Sequence, residues 1–182
     1  MVRRPTADEL AAAREAVLPD VVAGGLDVLF CGINPGLYSA ATGFHFARPG
    51  NRFWPALHRA GFTARQLRPD EQDELLTFGL GLTNIVRRAS ARADELTSDE
   101  LRSGALQLEN LVRELEPRVL AVVGITAYRT AFGRPDAVIG EQDGRIGSTR
   151  VWVLPNPSGL NAHYQLPALA DEFRALRDAL TE

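Results

Sequence analysis

The pattern of hydrophobic and polar positions predicts four buried strands separated by helices. Four short apolar runs, rich in β-branched and aromatic residues, have the pattern of strands that are buried on both faces. They cover residues 26–33, 80–86 and 118–125, and a fourth run begins at Arg150. Continuous apolar runs of this kind are typical of the inner strands of a parallel sheet.

Helical periodicity fills most of the intervals between these strands. The clearest helix lies in "TSDELRSGALQLENLVRELEP", whose apolar residues recur at spacings of three and four. Thr97 and Glu100 form a capping box at its start, Pro117 ends it, and Thr6 and Glu9 form a second capping box near the N-terminus. Four more helices are predicted: one in "NRFWPALHRAG" that stops at Gly61, one in "RPDEQDELLTFG", one in "TAYRTAFG" and a last one over about 166–180.

Strands that alternate with helices imply an α/β fold, with a mostly parallel sheet covered on both sides. A chain of 182 residues, with 45% hydrophobic content, fits one globular domain. We expect residues 1–25 to be an N-terminal helical extension and residues 26–180 to be the core. The stretch after the first strand, up to about residue 52, is expected to be a long loop with a functional role.

The composition excludes several classes of site. Cys31 is the only cysteine, and His45, His58 and His163 are scattered, so we expect no disulfide, no metal site and no cofactor. A net charge of −3 means that any contact with DNA must be confined to a local patch. No apolar run approaches the roughly 18 residues of a membrane helix. The polar N-terminus lacks the apolar region of a signal peptide, which predicts a cytoplasmic protein.

Unusual residues cluster at the predicted carboxyl ends of the strands. Ligands of parallel α/β sheets bind in the crevice beyond those ends. The first loop, "GINPG", is neither a dinucleotide fingerprint nor a P-loop, which makes it a poor fit for a nucleotide triphosphate. Four segments are therefore predicted to surround one site: residues 32–36, Thr83 with Asn84, Gly124 with Ile125, and residues 156–161.

Two of these segments allow both a structural and a functional interpretation. Asn34 can serve its own turn, as Asn often does, whereas Gly32 and Gly36 would let a ligand approach the backbone closely. In "NPSGLNAHY", Leu160 is predicted at a loop tip. Single exposed apolar residues are common, but an apolar wedge on a loop is also how proteins unstack a base step.

Three motifs together resemble one branch of the uracil-DNA glycosylase superfamily, the mismatch-specific uracil/thymine DNA glycosylases. They are "GINPGLYSAATGFHFARPGNRFW", "GLTNIVRRAS" and "VWVLPNPSGLNAHY", in the order and approximate spacing of that family. The resemblance covers about residues 26–180. It implies a three-layer α/β/α sandwich around a short, mostly parallel sheet.

The resemblance also implies a reaction. The enzyme would flip uracil out of the duplex and hydrolyse the bond that joins it to deoxyribose, through an oxocarbenium-like sugar. Asn34 would position water at C1′, although an amide cannot remove a proton at neutral pH. Asn156 occupies the position where more active relatives carry His, which weakens stabilisation of the departing base. The presence of Asn at both positions predicts a slow enzyme that relies on a good leaving group.

The family also suggests a base pocket. Phe46 would stack on the flipped base, although it could instead be a core aromatic. Asn84 would join the water or sugar shell, although an Asn at the end of a strand is also a common turn residue. The remaining pocket residues implied by the resemblance are Gly32, Ile33 through its backbone amide, and Ser39 with Ala40 along the C5 edge of the pyrimidine.

The loop 156–163 is implied to bind DNA. Leu160 would enter the space that the base vacates, beside Ser158, while backbone groups of Gly159 and Asn161 would pair with the orphaned guanine. His163 could contact a phosphate or be a solvated loop residue. Arg87, Arg88 and Arg92, supplemented by Arg48 and Arg52, form a basic stretch that could contact phosphates or be ordinary solvated surface.

The sequence contains no lysine, which excludes a lyase step through a lysine amine. We therefore expect a monomeric, monofunctional glycosylase. It would act on double-stranded DNA with uracil opposite guanine. It would leave an abasic site for downstream repair enzymes near the nucleoid.

Two alternatives for the function stay open. One is a cysteine or serine hydrolase, although the Gly-x-Ser-x-Gly elbow is missing. The other is a module that binds mismatched or damaged DNA without cutting it.

Overall fold

A five-stranded sheet forms the centre of the protein. The structure is a computed structural model, and it describes residues 2–182. The strands are β1 (Val28–Gly32), β2 (Leu80–Asn84), β3 (Val119–Val123), β4 (Gly140–Ile146) and β5 (Thr149–Leu154). Their order in the sheet is β2-β1-β3-β5-β4. The first four strands in this order run parallel, and only β4 is antiparallel to its neighbour.

Helices cover both faces of this sheet. The helices are α1 (Ala7–Ala12), α2 (Leu37–Thr42), α3 (Phe53–Arg59), α4 (Ser98–Leu115), α5 (Ile125–Ala131) and α6 (Leu166–Ala179), with 3₁₀ helices at Pro69–Phe78 and Ala93–Glu95. Helices α3 and α6 pack against one face of the sheet, and α4 and α5 pack against the other. This arrangement confirms the predicted three-layer α/β/α fold.

Alternate residues of each inner strand supply the two halves of the core. In β1, Phe30 joins the half under α3 and α6, whereas Leu29 and Cys31 join the half under α4 and α5. The ring of Phe30 meets Phe53 of α3 at 5.4 Å and Phe173 of α6 at 5.8 Å between centroids. Each large apolar side chain buried in this way stabilises the fold by about 1.5–3 kcal/mol. The helices therefore hold the strand ends, and the loops that follow them, in fixed positions.

The predicted helix signals are present in the structure. The hydroxyl oxygens of Thr6 and Thr97 accept hydrogen bonds from the amides of Glu9 and Glu100, which completes both capping boxes. Helix α4 ends where Glu116 adopts a left-handed conformation, one residue before Pro117. The capping box at Thr97 determines the residue at which α4 begins, close to the loop that follows β2.

Three expectations about secondary structure were wrong in detail. The long loop after β1 contains a short helix, α2, whose N-cap residue, Gly36, has no side chain to cap it. The predicted helix before β2 is a 3₁₀ helix. Strand β4 was missed because its sequence, "GEQDGRI", is polar and mostly exposed, so it lacks the apolar run of an inner strand.

The N-terminal extension is helical only over α1, and its later part lies along the free edge of β2. Val21 and Leu82 exchange two backbone hydrogen bonds of 2.8 and 2.9 Å. Asp20 accepts a hydrogen bond of 2.9 Å from the Thr83 hydroxyl. The extension therefore covers a strand edge that would otherwise expose unpaired backbone groups. None of the helices over residues 2–182 is long and apolar enough to cross a membrane.

Candidate active site

A cleft of about 390 Å³ opens at the edge of the sheet where the parallel strands end. A larger cavity of about 550 Å³ lies between α5 and β4, away from these strand ends. The cleft contains nearly all the residues that the sequence assigns to water and base binding. Its lining includes Gly32, Ile33, Asn34, Ser39, Phe46, Asn84, Asn156, Ser158 and Leu160. Ala40 lies on α2 outside this lining.

Hydrogen bonds fix the orientation of the Asn34 amide. Its nitrogen donates to the carbonyl oxygen of Arg88 at 3.0 Å and to Ser90 Oγ at 2.8 Å. Ser90 Oγ donates its own proton to the carbonyl of Arg92 at 2.7 Å, so it can only accept from Asn34. The group that faces these two acceptors must therefore be the NH₂. Asn34 Oδ1 has no protein partner among residues 2–182 and remains an acceptor for a water molecule in the cleft.

The side chain of Arg88 anchors the backbone whose carbonyl accepts from Asn34. Its guanidinium contacts both carboxylate oxygens of Glu100, at 2.5 and 3.1 Å, and the carbonyl of Glu95 at 3.2 Å. The hydrogen bond from Arg88 lowers the pKa of Glu100 to about 2. Arg87 forms an ion pair of 3.1 Å with Asp20. The basic stretch that the sequence offered for phosphate contact is thus already paired with carboxylates at these two positions.

Asn156 offers a hydrogen-bond donor to the cleft, whereas Asn34 offers an acceptor. Its Oδ1 accepts a hydrogen bond of 2.9 Å from the backbone amide of Ser158, in an Asx turn. The NH₂ of Asn156 has no protein partner in the described part of the chain. It can therefore donate to an oxygen of a bound ligand. A donor aimed at an atom that gains negative charge stabilises the transition state.

Phe46 is half-buried between the core and the cleft. Its ring stacks on Phe53, with 4.2 Å between centroids and an interplanar angle of 22°. The backbone of Phe46 is left-handed, with φ of 51°, which is uncommon for a bulky residue. This conformation carries backbone strain of a kind that is concentrated at functional sites.

Gly32 leaves room for two other site residues. A Cβ atom added at Gly32 would lie 2.5 Å from Asn84 Oδ1 and 3.5 Å from Phe46 Cζ. The side-chain amide of Asn84, on the strand paired with β1, therefore lies directly over the glycine. No protein group within residues 2–182 is hydrogen bonded to this side-chain amide, so it is available to a ligand.

Ser39 and Ile33 have structural partners as well as places in the cleft. Ser39 is buried, and its Oγ accepts a hydrogen bond of 3.2 Å from the amide of Ala47, which ties α2 to the segment that carries Phe46. The carbonyl of Ile33 accepts a hydrogen bond of 3.0 Å from the amide of Val86. Both residues are held in place at the wall of the cleft.

His45 is a cleft residue to which the sequence assigned no role beyond the absence of a metal spacing. It is buried, and its Nε2 lies 2.8 Å from the carbonyl of Pro19. Because a carbonyl only accepts, Nε2 carries the proton. Burial lowers the pKa of His45, so the ring is neutral at neutral pH. Only its position inside the first motif, next to Phe46, could have indicated that it lines the cleft.

The loop of residues 156–165, hereafter the wedge loop, has an ordered interior and an exposed apolar tip. Leu160 is 80% exposed, and its amide donates to Ser158 Oγ at 3.2 Å. Asn161 donates to the carbonyl of Asn156 at 3.0 Å and accepts from the amide of His163 at 3.1 Å. The side chain of His163 is exposed. The internal hydrogen bonds of the wedge loop therefore hold the apolar side chain of Leu160 in solvent.

The three remaining arginines of the predicted basic patch differ in their surroundings. Arg52 was predicted to supplement phosphate contacts, but its guanidinium donates to acceptors of the wedge loop. Arg92 pairs with Asp94 at 3.1 Å on the rim of the cleft. Arg48, also on the rim, is exposed and has no ion pair within residues 2–182.

The surroundings of Cys31 argue against thiol catalysis. Cys31 is fully buried in β1. Burial, together with the nearby charge of Asp20, raises the pKa of its thiol well above the usual range. A thiol of this kind is not a nucleophile at neutral pH. Within residues 2–182, no three His, Cys, Asp or Glu side chains are grouped so that they could hold a metal ion.

Comparisons with known proteins agree with this fold. A solved structure with the same fold is the solution NMR structure of a Methanosarcina acetivorans protein provisionally assigned as a uracil DNA glycosylase. The two chains share 19% identity with a TM-score of 0.58, and the match covers 90% of this chain and 98% of the other. The family model of the uracil DNA glycosylase superfamily matches residues 19–181. The chain therefore belongs to the uracil DNA glycosylase superfamily, and this membership implies DNA glycosylase activity.

Proposed function

We propose that the protein is a monofunctional, mismatch-specific glycosylase that removes uracil opposite guanine from double-stranded DNA and leaves an abasic site. The orientation of Asn34 is the observation that carries this proposal. Its NH₂ is held by Arg88 and Ser90, so its Oδ1 is free to hold a water molecule inside the cleft. A fixed acceptor that positions water suits hydrolysis of a bond whose leaving group departs readily.

The reaction follows from this set of groups. The oxygen of the water held by Asn34 forms a bond to C1′ of the sugar, and the bond from C1′ to the base nitrogen breaks. The electron pair of that bond leaves with uracil as an anion, and the NH₂ of Asn156 donates to an oxygen of this anion. Asn34 cannot accept the proton of the attacking water, so the proton passes to solvent. Without a base at this position, turnover is slow.

The base reaches the cleft by flipping out of the duplex. Phe46, supported on Phe53, gives the pyrimidine an aromatic surface on which to stack. Ser39 lies where the C5 edge of the base is placed by the family resemblance, and bulk there decides whether the methyl group of thymine fits. Base flipping leaves a gap in the duplex, and the exposed side chain of Leu160 is the group that fills it.

The backbone of the wedge loop supports a preference for guanine. The Watson–Crick edge of guanine offers N–H donors from N1 and N2, whereas adenine has no donor at N1 or C2. The carbonyl oxygens of Gly159 and Asn161 are acceptors that match these donors. Once bound DNA covers these carbonyls, the wrong partner leaves their free lone pairs unpaired, so discrimination is strong.

A panel of labelled DNA substrates tests the proposal. Protein in excess is incubated with one strand sequence that carries uracil opposite guanine, uracil opposite adenine, or uracil without a complement, and with a G·T duplex. Each sample is then analysed with and without hot alkali. We expect cleavage to be fastest at G·U and to require alkali, because a monofunctional enzyme leaves the strand intact at an abasic site.

Other outcomes of this panel separate the alternatives. Equal cleavage of G·U and A·U would retain the glycosylase and reject mismatch specificity. Cleavage without alkali would reject the monofunctional mechanism. Tight binding to G·U with no abasic product would favour the module that recognises mismatches without cutting them, and Asn34 would then be a turn residue.

A further inference from the structure

We propose that Arg52 is a positioning residue for recognition of the opposite base, because it holds the wedge loop in its binding shape before DNA arrives. This inference rests on the proposed function, since it assigns Arg52 a part in the specificity of that same site. Arg52 is the N-cap residue of α3. It is separated from the wedge loop by more than a hundred residues of sequence.

The contacts of the guanidinium are unusually concentrated on one loop. Nη1 lies 3.1 Å from the carbonyl of Ser158, 2.9 Å from that of Asn161 and 3.1 Å from that of Tyr164. Nη2 lies 3.3 Å from the carbonyl of Gly159 and 3.0 Å from Gln165 Oε1. All five acceptors are uncharged, and each belongs to the wedge loop.

The backbone around Arg52 reinforces this attachment. The amide of Arg52 donates to the carbonyl of Pro157 at 2.8 Å. A Cβ atom added at Gly159 would lie 2.7 Å from the carbonyl oxygen of Gly50, so the two loops are in close backbone contact. The wedge loop is therefore joined on two sides to the segment that precedes α3.

This geometry separates Arg52 from a phosphate-binding arginine. Its Nη groups are already occupied by protein acceptors, whereas Arg48, four residues earlier, is exposed on the rim and has no ion pair within residues 2–182. A lysine could not replace Arg52, because an ammonium group is a compact donor that cannot span acceptors arranged around a planar fork.

The bonds from Arg52 act on the same carbonyls that we assign to guanine. The carbonyls of Gly159 and Asn161 accept from Arg52 with one lone pair each, and a carbonyl oxygen has two. Arg52 thereby sets the direction in which the second lone pair faces. A loop that is already ordered also avoids the loss of conformational freedom that binding would otherwise require.

The test compares Arg52→Lys and Arg52→Ala with the matched control Arg48→Ala. Hydrogen exchange of the amides in residues 158–163 is measured in the free proteins. Single-turnover rates are measured on G·U and A·U duplexes over a range of salt concentrations. Arg52→Lys keeps the charge and removes the fork geometry, so it separates position from charge, and it serves as the second variant if Arg52→Ala does not fold.

We expect the two Arg52 variants to behave alike. The wedge-loop amides should exchange about tenfold faster or more, while exchange in the sheet stays as in the wild type. The G·U rate should fall roughly tenfold to hundredfold, as expected when reacting groups are misplaced by about 1 Å. The ratio of G·U to A·U rates should fall as well, and the salt dependence should be unchanged. Arg48→Ala should instead reduce the salt slope by about one and leave loop exchange unaltered.

Two results would overturn the proposal. One is wild-type loop exchange in Arg52→Lys. The other is a wild-type rate in Arg52→Lys together with a reduced salt slope in Arg52→Ala, which is the behaviour of a phosphate contact. The exchange measurement does not depend on activity. If the wild type fails to cleave uracil, the proposed function fails, and the exchange data still decide whether Arg52 orders the loop.

Discussion

At the scale of single residues, the site depends on how one amide is turned. An asparagine side chain can present either its oxygen or its NH₂ to a ligand, and here Arg88 and Ser90 accept from the NH₂. The oxygen is left for water. The sequence identified Asn34, but it gave no reason to connect Asn34 with a serine 56 residues later.

Ser90→Ala should slow the reaction without abolishing it. The substitution removes one of the two acceptors that orient Asn34, and a single hydrogen bond contributes about 0.5–1.5 kcal/mol, which corresponds to up to about tenfold in rate. The measurement is the single-turnover rate on a G·U duplex. Ser103→Ala, on the exposed face of α4, is the control. An unchanged rate in Ser90→Ala would mean that Arg88 alone orients Asn34.

At the scale of elements, α4 supports the site from outside the cleft. It packs against the segment after β2 so closely that a Cβ atom added at Gly104 would overlap the carbonyl oxygen of Ile85. Its first turn also contains Glu100, which pairs with Arg88. The loop that carries Ser90 is therefore fixed by a helix that makes no contact with the cleft itself.

Gly104→Ala tests this close packing. Alanine favours a helix by up to about 1 kcal/mol over glycine, but overlap with the Ile85 backbone should outweigh this gain and destabilise the protein by about 1–3 kcal/mol. Chemical denaturation at 25 °C gives the free energy of unfolding. Ser103→Ala on the same helix should be neutral or slightly stabilising. A variant at 104 that equals or exceeds the wild type in stability would contradict the observed packing.

Glu100→Gln tests the ion pair with Arg88. The pKa of Glu100 is lowered to about 2, from a usual value of 4.5. Its contribution to stability is therefore full above about pH 4.5 and is lost as the pH falls through about 2. The difference in unfolding free energy between wild type and Glu100→Gln should be largest near pH 5–7 and shrink toward pH 3. Glu114→Gln, which removes an exposed carboxylate of α4 that forms no ion pair within residues 2–182, corrects for the loss of charge. A difference that does not change with pH would reject the ion pair.

Elements whose signal is local could be predicted from the sequence. The four parallel strands are continuous apolar runs, and the capping boxes of α1 and α4 occur at Thr6 and Thr97. Strand β4 escaped prediction because pairing with β5, and not its own hydrophobicity, makes it a strand. The same limit applies to the site. Motif residues such as Asn34 and Phe46 could be named, but the partners of Arg52 and Arg88 depend on contacts between distant segments.

At the scale of the whole molecule, His45 joins three parts of the chain beneath the cleft. Its ring bonds to Pro19 in the N-terminal extension, its carbonyl accepts from Trp54 Nε1 of α3, and its amide donates to Gln72 of the 3₁₀ helix. The N-terminal extension is thus part of the support of the active site, and Leu18 contributes to the lining of the cleft.

The stability of the protein should fall below about pH 6.5 because of His45. Burial lowers its pKa in the folded protein below the ordinary value of 6.5, so the unfolded chain binds a proton first as the pH falls. The free energy of unfolding should therefore decrease as the pH drops from 7 to 5. His45→Gln should remove part of this dependence, whereas the exposed His163→Gln should leave it in place. An identical pH dependence in His45→Gln and wild type would contradict the buried, neutral histidine.

Asn34→Ala tests whether Asn34 holds the water that cleaves the glycosidic bond. The single-turnover rate on a G·U duplex and the affinity for that duplex are measured together, with Asn110→Ala on the exposed face of α4 as the matched control. We predict that the rate of Asn34→Ala falls roughly hundredfold while its affinity stays within about threefold of the wild type, because positioning of the nucleophile is lost and the DNA contacts remain. An Asn34→Ala enzyme that cleaves G·U at the wild-type rate would mean that Asn34 does not position the attacking water.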